Sequence, residues 1–108
     1  MKKIIILLPV YNDWESLLKV LEEINSVIQD IKKYEFNCII INDSSTIEKP
    51  RIIKPKNFNS LKVINMKENR GHARCIAAGL KYIYEKEEFD YVIPMDGDGE
   101  DRPEEIKG

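Results

Sequence analysis

Cysteine, histidine and tryptophan are scarce in this chain of 108 residues, which contains two, one and one of them, respectively. Both cysteines, Cys38 and Cys75, lie inside apolar segments, which predicts buried thiols in a reducing compartment and argues against a disulfide framework. No apolar run approaches the roughly 20 residues that a bilayer-spanning helix needs. We therefore expect a cytoplasmic protein.

The chain also lacks an excess of either charge, with a formal net charge of −2 and a pI near 5.5. Nucleic-acid-binding surfaces are usually basic and clustered, so we expect no nucleic acid partner. Hydrophobic residues make up 43% and charged residues 33%, which excludes wholesale disorder and is ordinary for one folded domain. A helix that begins near residue 104 would stop after about one turn. We therefore expect the chain to be part of a larger domain.

The hydrophobic pattern predicts strands that alternate with helices. Continuous apolar runs predict buried strands over residues 3–8, 36–42, 61–65 and 90–95. Helical spacing predicts helices over residues 13–32 and 73–87, and residues 46–60 are predicted to form a surface loop with at most one helical turn. This alternation indicates an α/β fold with an open, mostly parallel sheet, for which we expect the strand order 3-2-1-4.

Several residues have simple structural interpretations. Pro9 is expected to end the first strand, and Asn12 to cap the first helix with Glu15 completing a capping box. Trp14 is interpreted as a core residue of that helix. Small residues of the second helix predict its close packing on the sheet: Ala73, Ala77, Ala78 and Gly79.

Three acids at two-residue spacing follow the fourth predicted strand: Asp96, Asp98 and Glu100. In an extended segment this spacing points successive carboxylates to the same side, and Gly97 and Gly99 leave room for a ligand. Mg²⁺ and Mn²⁺ prefer oxygen ligands and complete their shells with water and phosphate oxygens. The pattern predicts a divalent metal site, with solvated acids in a tight turn as the alternative.

The position of this turn in the predicted sheet supports the metal site. An EF-hand loop does not fit, because Asp101 stands where glycine is needed and Lys107 where a bidentate glutamate is needed. With the order 3-2-1-4, residues 9–13 and 96–101 flank the topological switch of the sheet. Ligands of open α/β sheets bind at that switch, outside the carboxyl ends of the strands.

Four motifs must be considered together, and they cover essentially the whole chain: LPVYN at 8–12, INDSS at 41–45, NRGHAR at 69–74 and MDGDGEDRPE at 95–104. In this order they resemble the nucleotide-binding half of family 2 glycosyltransferases with the Rossmann-like GT-A fold. The branch they resemble is the polyprenyl-phosphate one, which includes dolichyl-phosphate mannosyltransferase. The resemblance implies that residues 1–108 are the nucleotide-sugar-binding part of a single GT-A domain whose acceptor-binding part lies elsewhere.

The resemblance also implies roles for individual residues. The implied nucleotide-binding residues are Pro9, Tyr11, Asn12, Asp43, Arg70, Gly71, Asp96 and Gly97. The implied ligands of Mg²⁺ or Mn²⁺ are Asp96, Asp98 and Glu100. Tyr11 is expected to pack on the base, which is uracil or guanine in the family, and Asp43 to accept a hydrogen bond from it. Arg70 or Arg74 is expected to reach the diphosphate.

The sequence departs from the family pattern at two of these places. The second motif is commonly DDGS in the family, so an acid and a glycine are missing around Asp43. Glu100 stands where the polyprenyl-phosphate branch often has glutamine, which adds a negative charge to the predicted metal site.

The function implied by the resemblance is metal-dependent, inverting transfer of a sugar from a UDP- or GDP-sugar. The implied acceptor is polyprenyl phosphate or a growing glycan. We expect the general base beyond residue 108, so that the chain alone binds nucleotide weakly and transfers nothing. Association with the inner face of the membrane through a segment beyond residue 108, and a homodimer, are further expectations.

Two other functions use acids and a divalent ion on a similar sheet. A nucleotidyltransferase would want a glycine-rich, basic loop after the first strand, and residues 9–13 have neither feature. A non-catalytic, receiver-like regulatory module would want a lysine at the end of a later strand, and none is visible. Both remain alternatives to the glycosyltransferase.

Overall fold

A computed structural model describes residues 1–67 and 71–95, except for the side chains of His72 and Ala73. These residues form, in chain order, β1 (Lys2–Val10), α1 (Trp14–Ile28), β2 (Tyr34–Asn42), β3 (Ser60–Asn65), α2 (His72–Lys86) and β4 (Tyr91–Pro94). None of the helices in this described part is long and apolar enough to cross a membrane.

The strands form one parallel sheet in the order β3-β2-β1-β4. Strand β1 is central, and its Leu7 is in register with Ile39 of β2 on one side and Pro94 of β4 on the other. The predicted α/β class, parallel pairing and strand order are therefore confirmed. The arrangement is consistent with part of a Rossmann-like GT-A fold.

The two helices cover opposite faces of the sheet, which explains why the strands are continuously apolar. Ile6 and Leu8 of β1 pack in the cluster that contains α1, whereas Ile5 and Leu7 pack in the cluster that contains α2. Burying one such side chain stabilises the fold by about 1.5–3 kcal/mol. Trp14 belongs to the α1 cluster, as predicted.

The boundaries of β1 and α1 differ from the prediction. Pro9 does not end β1, because Val10 continues the strand in register with Asn42. Asp13, not Asn12, caps α1, and its Oδ1 accepts a hydrogen bond from the Ser16 N–H at 3.3 Å. Helix α1 ends at Ile28 and not at residue 32, because the chain must turn to begin β2 beside Lys2.

Helix α2 buries only part of the small-residue stretch that was predicted to pack on the sheet. Its buried side is formed by Cys75, Gly79 and Ile83, at four-residue spacing, whereas Ala77 and Ala78 are exposed. A Cβ on Gly79 would lie only 2.8 Å from Leu7 Cδ1 and 3.0 Å from Ile41 Cγ1. The helix therefore packs through a residue without a side chain, which allows a close approach to the sheet.

The connection between β2 and β3 has no helix within it, and the loop prediction is right in this respect. It is not only a surface loop, however, because Phe58 is 1% exposed and packs in the α1 cluster. Asn25 of α1 holds this end of the connection, since its Oδ1 accepts from the Asn57 N–H at 2.9 Å. Its own carbonyl oxygen accepts from Asn57 Nδ2 at 2.9 Å.

Candidate functional site

The loops that follow β1 and β2 are hydrogen-bonded to each other at the carboxyl edge of the sheet. The Asp43 N–H donates to the Val10 carbonyl at 2.8 Å, and the Asn12 N–H donates to Ser45 Oγ at 2.9 Å. The structure therefore brings together the ends of two neighbouring strands, and with them Tyr11, Asn12 and Asp43.

Tyr11 stands at this edge with 47% of its surface exposed. Its carbonyl oxygen accepts from the Asp13 N–H at 2.7 Å, which fixes a tight turn between β1 and α1. An exposed ring on a fixed turn is suited to packing on a planar group. Pro9, by contrast, is buried within β1 opposite Ile41.

Asp43 is one of the few polar side chains in the interior, with 3% of its surface exposed. Its Oδ2 accepts a hydrogen bond of 3.0 Å from the N–H of Gly71, the residue that precedes α2. Gly71 has a φ of 84°, which L-residues with side chains rarely adopt. Asp43 thus links the end of β2 to the start of α2.

The turn after Asp43 has a serine where the family motif commonly has glycine. Ser44 occupies the glycine position and has a φ of 58°, in the left-handed region. The Ser45 N–H donates to Asn42 Oδ1 at 3.0 Å, and Asn42 Nδ2 donates to Asn65 Oδ1 at 2.9 Å. Asn42, where the family commonly has an acid, therefore stabilises the turn through its amide.

The two thiols are structural. Cys75 lies under this edge, where its Sγ donates to the Ile41 carbonyl at 3.7 Å. Burial, and secondly the negative charge of Asp43, raise the pKa of Cys75 to about 12. Burial also raises the pKa of Cys38. Because a reactive cysteine needs a lowered pKa, neither thiol has the properties of a nucleophile, and both are free and buried as predicted.

The predicted metal ligands Asp96, Asp98 and Glu100 lie outside the described residues, as do Gly97 and Arg70. Within residues 1–67 and 71–95, no three His, Cys, Asp or Glu side chains are grouped closely enough to hold a metal ion.

Strand β4 brings the chain to the same edge of the sheet. The Met95 N–H donates to the Leu7 carbonyl at 2.8 Å, so the residue before Asp96 lies beside β1. Arg74, the alternative contact for a diphosphate, is exposed in the first turn of α2.

A groove of about 830 Å³ lies at the opposite end of the sheet. It is lined by residues from the amino ends of three strands and from the α1–β2 connection, among them Ile4, Tyr34, Phe36 and Tyr91. It contains none of the predicted site residues. The candidate site is therefore the carboxyl edge.

Nothing in the sequence indicated that Thr46 and Ile47 belong to this edge. Their backbone N–H groups donate to Asn12 Oδ1 at 2.8 and 2.9 Å. Backbone contacts of this kind leave no signature in the identity of the residues that make them. The only available signal was Asn12 itself, which is a residue type that tolerates left-handed backbone.

Comparisons with known proteins identify the family of this chain. The model of the family described as Glycosyl transferase family 2 matches residues 5–108. The chain is 26% identical over 105 residues to an uncharacterized protein of Methanocaldococcus jannaschii, an alignment that covers 94% of this chain and 43% of that protein. It is 29% identical over 104 residues to the undecaprenyl-phosphate 4-deoxy-4-formamido-L-arabinose transferase of Pseudomonas fluorescens, which covers 94% of this chain and 29% of that protein. The chain thus spans less than half the length of either relative.

Proposed function

Because the chain belongs to glycosyl transferase family 2, we propose that it binds a nucleoside diphosphate sugar at the carboxyl edge of its sheet. The protein then transfers the sugar to an acceptor with inversion. The donor is a UDP- or GDP-sugar.

One structural observation carries this proposal: the loops after β1 and β2 and the start of α2 are joined around Asp43. The Asp43 carboxylate accepts a hydrogen bond from the Gly71 N–H, and the Asp43 N–H donates to the carbonyl oxygen at the end of β1. The exposed ring of Tyr11 lies on the same edge. In the order 3-2-1-4, the topological switch at which such sheets bind ligands lies at this same edge, between β1 and β4. In the proposal Tyr11 packs on the base and the carboxylate of Asp43 faces it.

We propose that the diphosphate is held by a divalent ion bound to Asp96, Asp98 and Glu100. The donor set fits Mg²⁺ or Mn²⁺, because all three side chains offer hard carboxylate oxygens at two-residue spacing. The ion, when bound, supplies Lewis acidity towards the phosphate oxygens that gain charge as the sugar leaves. Arg70 or Arg74 adds a positive charge.

The acceptor proposed is polyprenyl phosphate. Support comes from the printed name of the Pseudomonas relative, which describes an undecaprenyl-phosphate sugar transferase. A growing glycan is the other acceptor class. We also propose that the general base lies beyond residue 108.

The two alternative functions make different predictions. A nucleotidyltransferase would transfer a nucleoside monophosphate from a nucleoside triphosphate to an acceptor and release pyrophosphate. It would want a glycine-rich basic loop after β1, where residues 11–13 instead form a tight turn. A regulatory module of the receiver type would bind Mg²⁺ without any preference for a nucleotide.

A thermal-shift panel separates these possibilities. The full chain is heated with UDP, GDP, uridine, guanosine or a sugar phosphate, each with Mn²⁺ or with EDTA. We expect UDP or GDP with Mn²⁺ to raise Tm, because a ligand at 100 times its Kd stabilises the native state by about 2.7 kcal/mol. The nucleosides and the EDTA samples should shift Tm much less. No shift with UDP or GDP under any condition would contradict the proposal.

A further inference from the structure

Asn12 makes more contacts across the candidate site than its neighbours. Its Oδ1 accepts from the N–H groups of Thr46 and Ile47 at 2.8 and 2.9 Å. Its Nδ2 donates to Thr46 Oγ1 at 3.0 Å, and its own N–H donates to Ser45 Oγ at 2.9 Å. One residue after β1 thus contacts three consecutive residues after β2.

The backbone conformation of Asn12 supports these contacts with the residues after β2. Its φ is 62°, in the left-handed region that asparagine adopts more readily than most residues with a side chain. This conformation directs the residue away from the helix-capping position, which Asp13 takes instead. The Oδ1 atom and one of the two N–H groups of its amide are therefore already bonded to the β2–β3 connection.

We propose that Asn12 is a positioning residue that holds the β2–β3 connection against the β1–α1 turn, and so fixes Tyr11 and Asp43 relative to each other before nucleotide binds. Tyr11 is its neighbour in the chain, and Asp43 lies two residues before Ser45. When the two sides of a binding site are already held in the arrangement that the bound state needs, less conformational entropy is lost on binding. The inference rests on the proposed function. It adds a residue that affects nucleotide affinity by holding the β2–β3 connection in place.

The chain supplies a matched control at the other end of the same connection. Asn25 also accepts from a backbone N–H through its Oδ1, at 2.9 Å from the nitrogen of Asn57. It lies in α1, away from Tyr11 and Asp43 in the chain and beside the residue that precedes Phe58. Removing either asparagine amide therefore releases one end of the connection, but only Asn12 is next to the candidate site.

The test compares four full-length chains by calorimetric titration of UDP and GDP in Mn²⁺: wild type, N12G, N12D and N25A. Glycine at position 12 keeps the left-handed backbone and removes only the amide. Aspartate retains an oxygen that accepts from the Thr46 and Ile47 N–H groups. We expect N12G to weaken nucleotide binding about tenfold. N12D should bind within a few-fold of wild type, and N25A should bind as wild type does.

Hydrogen exchange of the free proteins supplies a second measurement. Exchange at the Thr46 and Ile47 amides should accelerate in N12G and not in N25A. Wild-type affinity in N12G, or an equal loss in N25A, would overturn the inference while leaving the proposed function intact. Failure of the wild-type chain to bind either nucleotide would overturn the proposed function, and the inference with it.

Discussion

Asp43 Oδ2 lies 3.0 Å from the backbone nitrogen of Gly71, so a buried carboxylate at the end of β2 accepts the N–H that precedes α2. The contact joins residues 28 positions apart and places the start of α2 beside the turn that follows β2. A carboxylate at the positive end of a helix is stabilised by the helix dipole as well as by the hydrogen bond. Asp43 is therefore a structural residue of the edge in addition to its proposed contact with the base.

Replacing Asp43 should separate these contributions. D43A leaves the Gly71 N–H without this acceptor, and we expect it to lower the free energy of unfolding by about 1.5–3 kcal/mol. D43N keeps an oxygen that can accept this hydrogen bond and should cost about half as much or less. Urea unfolding of both variants measures the difference. Equal stability of D43A and wild type would show that the contact with Gly71 contributes nothing.

Ser44 should be improved by the glycine that the family motif usually has. A residue with a side chain costs about 1–2 kcal/mol in the left-handed region, and replacing Ser44 with glycine removes this cost. Part of the resulting gain in stability is offset by the greater conformational freedom of glycine in the unfolded chain. We expect S44G to stabilise the protein by about 0.5–1 kcal/mol in urea unfolding. The control is S26G at an exposed position in α1, which should destabilise by about 0.5–1 kcal/mol. A loss of stability in S44G would contradict this account of the turn.

Gly79 should resist the substitution that normally stabilises a helix. Alanine is favoured over glycine by about 1 kcal/mol in a helix interior. At position 79, however, its Cβ would lie 2.8 Å from Leu7 Cδ1, and Leu7 is fully buried and cannot move freely. Overpacking costs about 1–3 kcal/mol, so we expect G79A to be less stable than wild type by about 1 kcal/mol.

Ala78, which is exposed beside Gly79, provides the reference for the stability of G79A. A78G should lose about 1 kcal/mol through helix propensity alone. Thermal unfolding of both variants tests the contrast. A G79A protein more stable than wild type would mean that α2 packs less closely on the sheet than the structure indicates.

The stability of the protein should fall at high pH because Cys75 is buried as a neutral thiol. Its pKa is raised from 9.0 in the unfolded chain to about 12 in the fold. The unfolded state therefore releases a proton above pH 9 that the native state keeps, and stability decreases between about pH 9 and pH 12. One thiol contributes a slope of at most about 1.4 kcal/mol per pH unit.

Removing the thiol tests this assignment. We expect C75A to show a shallower decrease in the free energy of unfolding over this pH range than wild type, measured by urea unfolding at each pH. Below pH 8 the two proteins should differ by a constant amount, because the thiol is protonated in both states. Parallel curves across the whole range would show that Cys75 does not titrate on unfolding.

The sheet could be predicted from the sequence because its strands are covered on both faces. Burial of this kind leaves continuous apolar runs such as the one around Leu7, and the alternation with helical segments indicates parallel pairing. The stripe of α2 could not be predicted in the same way. The small residues Ala77, Ala78 and Gly79 all favoured close packing, whereas only Gly79 of these three is buried, because its position in the helix turns it towards Leu7 and Ile41 of the sheet.

Some features of the candidate site could likewise be predicted from the sequence, and others could not. The positions of Tyr11 and Asp43 at strand ends follow from the motifs and the strand order. The bond from Asp43 to Gly71 and the bonds from Asn12 to the β2–β3 connection could not be predicted, because they join side chains to backbone groups distant in sequence. Asn12 was expected to cap α1 for a local reason, and a long-range interaction took precedence over that local preference.

The most direct measurement is a calorimetric titration of UDP and GDP in Mn²⁺ into the wild-type chain and into D98N, with E88Q as an exposed control outside the site. We expect wild type and E88Q to bind one of the two nucleotides, D98N to bind it at least about tenfold more weakly, and EDTA to abolish the difference. Equal binding by wild type and D98N in Mn²⁺, or no binding of either nucleotide to wild type, would contradict the proposed metal-dependent binding of the nucleotide.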